Sequence, residues 1–360
     1  SRGRDDFKML EGRSLDQLVK PMPGSEYPRD EAALFARDNM RIVPELNLDP
    51  SQEVVTIGSC FARNIEEALS NVGFSVPMLE FRVPRAEWDG ARPNGILNRY
   101  TPFSIAQMVE WAVHSFQGED YFLEHSNQFW IETGDGRGID LDLGGHASVS
   151  EKRFWDRRRE LLAVFASLKT ADIIVITLGQ TESWLYRPRD VHWSGPPAVP
   201  SLRHLWPDTD LVVSEVDDVQ REMSQTVEQI RSINPKVKFL FTVSPIPATR
   251  YWSGEPALRA YWRGKFALWW AAQNLARSLE GSHYFPSFEA VHLHHESWTE
   301  DRLHVTDETV RGIVQGLLRA NSNHDMAVPL RGESGHFSNV TIPPSSFAER
   351  VKARVQRLFA

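Results

Sequence analysis

The run Val54-Val55-Thr56-Ile57 leads straight into Gly58-Ser59-Cys60-Phe61, and an amphipathic pattern starts at once. Phe61, Ile65, Ala68 and Leu69 recur at helical spacing, with Arg63, Glu66 and Glu67 between them. The pattern predicts a buried strand at about 53–57, a tight turn and a helix at about 61–71 closed by Gly73. In open α/β sheets ligands gather at the carboxyl ends of strands. Ser59 is thus expected at such an end and at a helix N-terminus, where backbone N–H groups lack partners. Those donors suit a phosphate or the oxyanion of acyl transfer. The plainer alternative is a serine that only caps the helix.

The rest of the chain repeats the theme. Asp172–Leu178 is a continuous apolar run, as in a strand covered on both faces, and ends in Gly179-Gln180-Thr181-Glu182-Ser183-Trp184. Further strands are predicted at Phe74–Leu79, Val237–Val243 and His283–Phe285. Helices are predicted at about 103–117, 151–168, 215–232, 255–280 and 306–320. Alternating strands and helices predict a three-layer α/β sandwich: a doubly wound, about five-stranded parallel sheet with insertions. Residues 1–50, broken by Pro21, Pro23 and Pro28, read as an arm on the core with one short helix near Glu31–Asn39. Residues 51–321 form the main domain, with insertions at 101–150 (hairpin-like over 120–150) and at 187–213. Long loops in compact domains usually build binding walls, so both are expected over the strand ends. Residues 322–345 read as a linker. Phe347, Val351, Val355 and Leu358 then mark an amphipathic C-terminal helix for the core or a second subunit.

Composition narrows the function. A net charge of −8 over 360 residues gives no nucleic-acid surface. Cys60 is the only cysteine, so neither an internal disulfide nor a cysteine zinc site can form. No run reaches membrane-spanning length and the first residues lack an apolar leader core; a cytoplasmic protein, or one whose leader has been removed, is expected. Among 12 tryptophans, Trp184, Trp193, Trp206 and Trp252 fall in predicted loops, where indoles either stack on sugars or pack ordinarily.

A serine needs a base and a histidine an orienting carboxylate. Asp301 and His304, three residues apart, can pair and leave one ring nitrogen for Ser59. Gly58-Ser59-Cys60-Phe61-Ala62 resembles the signature of the GSCFA family, which is similar to the SGNH (GDSL-type) esterases and acyltransferases. Further matching blocks are Thr177–Trp184, Val243-Ser244-Pro245-Ile246-Pro247, Tyr284–Glu289 and Asp301-x-x-His304. The resemblance implies Ser59 as nucleophile and its N–H as one oxyanion donor, with Asp301 and His304 completing a triad. It implies a second donor from a glycine, which Gly95 or Gly90 would supply. A third donor, asparagine in the wider superfamily, is replaced by Thr181 or Gln180. It implies a serine esterase removing a small acyl (acetyl) group from a carbohydrate or related ester, without a cofactor or metal. An O-acetyltransferase acting on a glycan and a non-catalytic glycan-binding module are the alternatives. Glu182, Trp184 and Arg250 are the expected substrate contacts, with Tyr251 a further rim candidate. Two rival sites are weighed against this one. Cys60 is expected to face the helix–sheet packing rather than act as a nucleophile. His292, His294 and His295 read as a surface loop before they read as a metal site.

Overall fold

The computed structural model describes residues 31–329 apart from 37–39, 43–45, 89, 91, 198–199 and 325. In chain order, α1 (Glu31–Leu34), β1 (Val54–Gly58) and α2 (Cys60–Asn71) come first. They are followed by α3 (Pro102–Ser115), α4 (Glu119–Asn127), β2 (Trp130–Gly134), β3 (Arg137–Asp140), β4 (Val149–Ser150) and α5 (Glu151–Phe165). Next are β5 (Ile173–Leu178), β6 (Glu182–Tyr186), β7 (Val191–His192), β8 (Thr209–Val213) and α6 (Val216–Ile233). Then come β9 (Lys238–Val243), α7 (Ala257–Ser278), β10 (Ser282–Tyr284), α8 (Ser287–Leu293) and α9 (Asp307–Asn321).

β1, β5, β9 and β10 form one parallel sheet in the order β1-β5-β9-β10. Its side chains alternate between two apolar layers, as the two-residue period of a strand requires. Val55, Ile57, Ile174, Ile176, Phe239 and Phe241 pack with α3, α5, α6 and α7. Val54, Ile173, Val175 and Leu240 pack on the other side with α2, α8 and α9. Helices therefore flank a parallel sheet on both faces, an arrangement compatible with a three-layer sandwich.

Among the described residues the sheet has four strands rather than about five. The stretch expected as a strand at Phe74–Leu79 makes a single parallel bridge, Glu53 to Ser75, and then turns as a 3-10 helix at Pro77–Glu80. Pro77 has no N–H to give a ladder, so pairing stops there. The insertion also differs from a plain hairpin. Tyr121-Phe122-Leu123 lies in α4, which begins after Gly118 with Glu119 and Asp120 in its first turn. The hairpin proper is β2–β3, joined by β4. A second small sheet, β7-β6-β8, grows from the Glu182 loop and the 187–213 insertion. Of the N-terminal arm, α1 is the expected helix, shortened to Glu31–Leu34. The C-terminal amphipathic stretch lies outside the described residues.

The insertion is fastened to the core by buried charges. Asp142 accepts from Arg99 and Arg158, each at 3.0 Å, and from Gln107 at 2.9 Å. Arg158 also bonds Asp140 and lies 4.2 Å from the Phe129 ring centroid. Arg157 and Arg153 share Glu87 at 3.2 and 2.7 Å. Breaking one partner of a buried set strands the others without water. Asp142→Ala should therefore lower the unfolding free energy by about 3–5 kcal/mol. Lys152→Ala, which removes an exposed i,i+4 pair with Asp156, should cost less than about 1 kcal/mol. Urea unfolding of the two variants side by side tests this; equal losses would contradict it.

Candidate active site

The turn after β1 depends on Gly58. Its φ is +146°, and a Cβ there would sit 2.3 Å from the Thr177 carbonyl oxygen on β5. Only glycine lets the two strand ends approach this closely. Ser59 follows in extended conformation as the N-cap of α2, its Oγ accepting the Phe61 N–H at 3.4 Å. The Ser59 N–H donates to the Thr177 carbonyl at 3.3 Å. The side chain is buried, yet it opens onto a cleft of about 510 Å³.

Loops from several strand ends wall this cleft. Tyr100, Thr101 and Ser104 come from the start of α3. Gly179, Gln180, Glu182, Ser183 and Trp184 follow β5; Ser244, Ile246 and Arg250 follow β9. The 187–213 insertion supplies Trp193, Ser194, Gly195 and Pro196. Only residues 101 and 104 of the 101–150 insertion reach the cleft; the remainder of that insertion's expected wall lies elsewhere. Gly179 fits against Ser59 because it has no side chain: an added Cβ would come 3.1 Å from the Ser59 Cβ and 2.8 Å from the Tyr100 carbonyl. That carbonyl accepts from the Gly179 and Gln180 N–H groups at 3.1 and 2.6 Å.

Lys265 holds the floor together. From α7 its ammonium donates to the carbonyls of Gly179, Ser244 and Ile246 at 2.6, 2.6 and 2.9 Å. Burial pulls this group's pKa down to about 7, while three carbonyl dipoles favour its charged form. The sequence masks this role, since a lysine in a helix is read as a solvated position. The only signal is its company: Tyr261, Gly264, Leu268, Ala271 and Ala272 mark the buried face that Lys265 shares.

Asp301 and His304 do pair. His304 Nδ1 lies 2.5 Å from Asp301 Oδ2, and Asp301 Oδ1 accepts from the Leu303 and His304 N–H groups and the Thr299 hydroxyl. These donors, that hydroxyl first, hold the carboxyl well below the usual carboxylate range. The pair sits on an exposed turn, His304 at 66% exposure. Neither residue lines the cleft, and no hydrogen bond joins His304 to Ser59.

The expected oxyanion residues separate. Gly95 lies in a short 3-10 turn against Trp88, and its N–H already donates to the Arg92 carbonyl at 2.9 Å. Gly90 packs on the same indole. Thr181 turns its hydroxyl toward Gly264 of α7, where a Cβ would meet Oγ1 at 2.8 Å. Gln180 remains in the cleft wall. Beside it is Tyr100, which the sequence reading did not single out. Burial pushes its phenol up to about 12, so it stays protonated, and Asn98 Nδ2 donates to its oxygen at 3.1 Å.

The other sequence candidates are placed as follows. Glu182 lines the cleft, but its carboxylate accepts the backbone N–H groups of Trp252 and Ser253 at 2.7 and 3.2 Å, tying down the rim. Trp184 and Arg250 line the cleft as expected. Tyr251 is engaged with the loop, its hydroxyl accepting the Ala248 N–H. Cys60 does not face the packing: it is half-buried and borders the cleft, with burial raising its thiol pKa. A thiol held protonated is a weak nucleophile. His292 spends both ring nitrogens, on the Tyr261 hydroxyl and the Phe288 carbonyl. Among the described residues no three of His, Cys, Asp and Glu cluster to hold a metal ion, and no helix is long and apolar enough to cross a membrane.

Fold and site together define an α/β protein with a serine at the carboxyl edge of a parallel sheet. The chain belongs to the GSCFA family, whose family model matches residues 53–316, a span that includes Ser59, Gln180, Lys265, Asp301 and His304. Neither a curated protein nor a solved structure matches it.

Two histidines near this cleft are neutral because they are buried. His192, bonded through Nδ1 to the Ser183 hydroxyl at 2.8 Å, and His146, edge-on to Trp193, are both pulled down to about 4. In the unfolded chain they titrate near 6.5. Unfolding therefore takes up protons between those values, and stability should fall as the pH drops from about 6.5 to about 4. His146→Asn, which keeps a residue tolerant of the φ of +47° there, should flatten that slope in urea unfolding followed across pH. An unchanged slope would rule out His146 as a contributor.

Proposed function

We propose that the protein is a serine esterase that removes a small acyl group, such as acetyl, from a carbohydrate or related ester. The observation that carries this reading is the position of Ser59: at the end of a buried parallel strand, on a helix N-terminus, opening into a cleft walled by loops from other strand ends. The resemblance of its motif blocks to the SGNH enzymes supports the same chemistry. In the first half-reaction the Ser59 oxygen bonds to the ester carbonyl carbon while its proton passes to His304 Nε2. The tetrahedral intermediate then collapses, breaking the bond to the alcohol, which leaves with that proton. In the second half water bonds to the acyl carbon and gives its proton to His304 Nε2; collapse then breaks the bond to the Ser59 oxygen, which takes that proton back as the acid leaves. A sugar hydroxyl attacking instead would make the protein an O-acetyltransferase, and the first half-reaction is common to both.

This mechanism requires His304 Nε2 to reach Ser59 during turnover. Nδ1 is already held by Asp301, which fixes the tautomer with the proton toward the carboxylate and leaves Nε2 as the base. With the Gly95 N–H spent on Arg92 and the Thr181 hydroxyl turned to α7, the Gln180 side-chain amide and the Tyr100 hydroxyl are the cleft groups suited to a developing oxyanion.

Ser59→Ala should abolish turnover of small acetyl esters with the fold intact, whereas Cys60→Ala should keep most of it. A serine-directed phosphonate should label Ser59 by mass spectrometry. An adduct on Cys60, or turnover that survives Ser59→Ala, would refute the reading. A glycan-binding module would instead bind sugars and give no adduct.

The oxyanion assignment has its own test. Gln180→Ala and Tyr100→Phe should each lower kcat by roughly ten- to a thousandfold with a smaller change in KM. Thr181→Val, on a side chain turned to α7, should leave kcat within about twofold, since it removes no donor from the cleft. The reverse ranking would return the role to Thr181.

A further inference from the structure

A second cavity adjoins the cleft. It measures about 250 Å³ and is lined by Trp184, Pro197, Trp206, Thr209 and Trp252. Trp184 and Trp252 line the main cleft as well, so the two spaces share a wall. Their rings meet edge to face, 5.7 Å between centroids. A volume below the roughly 300 Å³ at which whole-ligand sites begin suits one part of a larger molecule.

The walls select what that part is. The Trp206 indole N–H is spent on the Pro197 carbonyl at 2.7 Å. Besides the indoles and the proline, the lining offers the Thr209 side chain, whose hydroxyl donates to the Leu205 carbonyl at 2.9 Å. A pyranose enclosed here would leave several hydroxyls without partners, which disfavours it. An alkyl or aryl group has no such cost and gains from burial against indole faces.

Charge narrows it further. A cage of indoles would attract a quaternary ammonium group. Here Arg250 already lies 5.3 Å over the Trp252 ring and Arg203 5.7 Å over Trp206. Among the described residues neither guanidinium has a carboxylate partner. Each guanidinium already lies over an indole that a third cation would need.

We propose that the pocket between Trp184, Trp206 and Trp252 is a subsite for an uncharged aryl or short alkyl group of the substrate whose ester lies at Ser59. This rests on the esterase reading for the ester, but the pocket's preference stands on its own walls. The substrate is then an ester with one apolar end, its polar portion in the main cleft and its apolar portion past Trp184.

Binding to the Ser59→Ala protein tests the pocket without turnover. The probes are 3-phenylpropanol, methyl β-glucopyranoside and a phenylpropyl trimethylammonium salt, read by the indole N–H signals of the tryptophans in NMR titrations. Phenylpropanol should shift the signals of Trp184, Trp206 and Trp252 saturably. Trp206→Ala should weaken that binding at least tenfold; because Trp206 is 45% exposed, its removal leaves the fold in place, and the remaining indole signals verify this. The ammonium probe should bind at least tenfold more weakly than the alcohol, and Arg250→Gln should narrow the gap. Overturning outcomes are glucoside shifting these three signals while phenylpropanol does not, equal binding of the cation, or no shift with any probe. If phenylpropanol binds as described and the wild-type protein turns over no ester, the subsite stands and the esterase reading falls.

Discussion

One ammonium group holds the cleft in shape. Lys265 donates to carbonyls from the loop after β5 and from the loop after β9. Those carbonyls lie past the ends of their strands, where the sheet ladder no longer pairs them. Three acceptors in a water-poor place need three donors, and a lysine ammonium has three. The same loops carry Gln180, Ser244 and Arg250 into the cleft. Their placement relative to Ser59 thus depends on a charge that never touches the cleft surface.

A second constraint acts from the opposite wall. Arg99, fixed by Asp142, donates to the Asn98 carbonyl and the Ser194 hydroxyl. Its backbone N–H donates to the Gly58 carbonyl at 2.8 Å. The next residue, Tyr100, receives the N–H groups that follow β5. One short segment therefore joins the Gly58–Ser59 turn, the insertion and the β5 loop. Positioning of this kind is costly in buried polar groups, and Asp142, Ser194 and Gly58 supply partners from three other parts of the chain.

The strands and main helices were legible because their periods are set by burial. β1, β5 and β9 appear within a residue of where the apolar runs predict them, and the long helices within about two residues at either end, as assignments at fraying termini usually differ. Ser59 was legible because a glycine and a cap stand together at the end of such a run. What the sequence did not disclose was polar burial. Arg63 and Glu66 interrupt an apolar stripe and read as a solvated face. They are instead buried as a pair, with Glu66 bonded by Thr56 and Asn94. Lys265, Arg99, Arg157 and Arg158 mislead in the same way. Periodicity measures hydrophobicity, and a buried charge held by an ion pair has none to show. The Gly95 N–H and the Thr181 hydroxyl turn elsewhere for a related reason: spacing along the chain places a residue near a strand end but does not aim its N–H or hydroxyl.

The Asp301–His304 turn shows how far local structure alone can prepare a site. Arg302 takes a φ of +54°, a conformation uncommon for a non-glycine residue, and this bend lets the Leu303 and His304 N–H groups converge on Asp301 Oδ1. The other carboxylate oxygen meets His304 Nδ1. The histidine is therefore oriented before any contact with Ser59 exists, by bonds contained within residues 299–304. Ser59 is likewise fixed by its own strand and cap. Each half is built by its own neighbours, so the proposed chemistry turns on one quantity: the separation of the two units. A displacement of the 299–304 turn as a body would change that separation while leaving the hydrogen bonds within each unit intact.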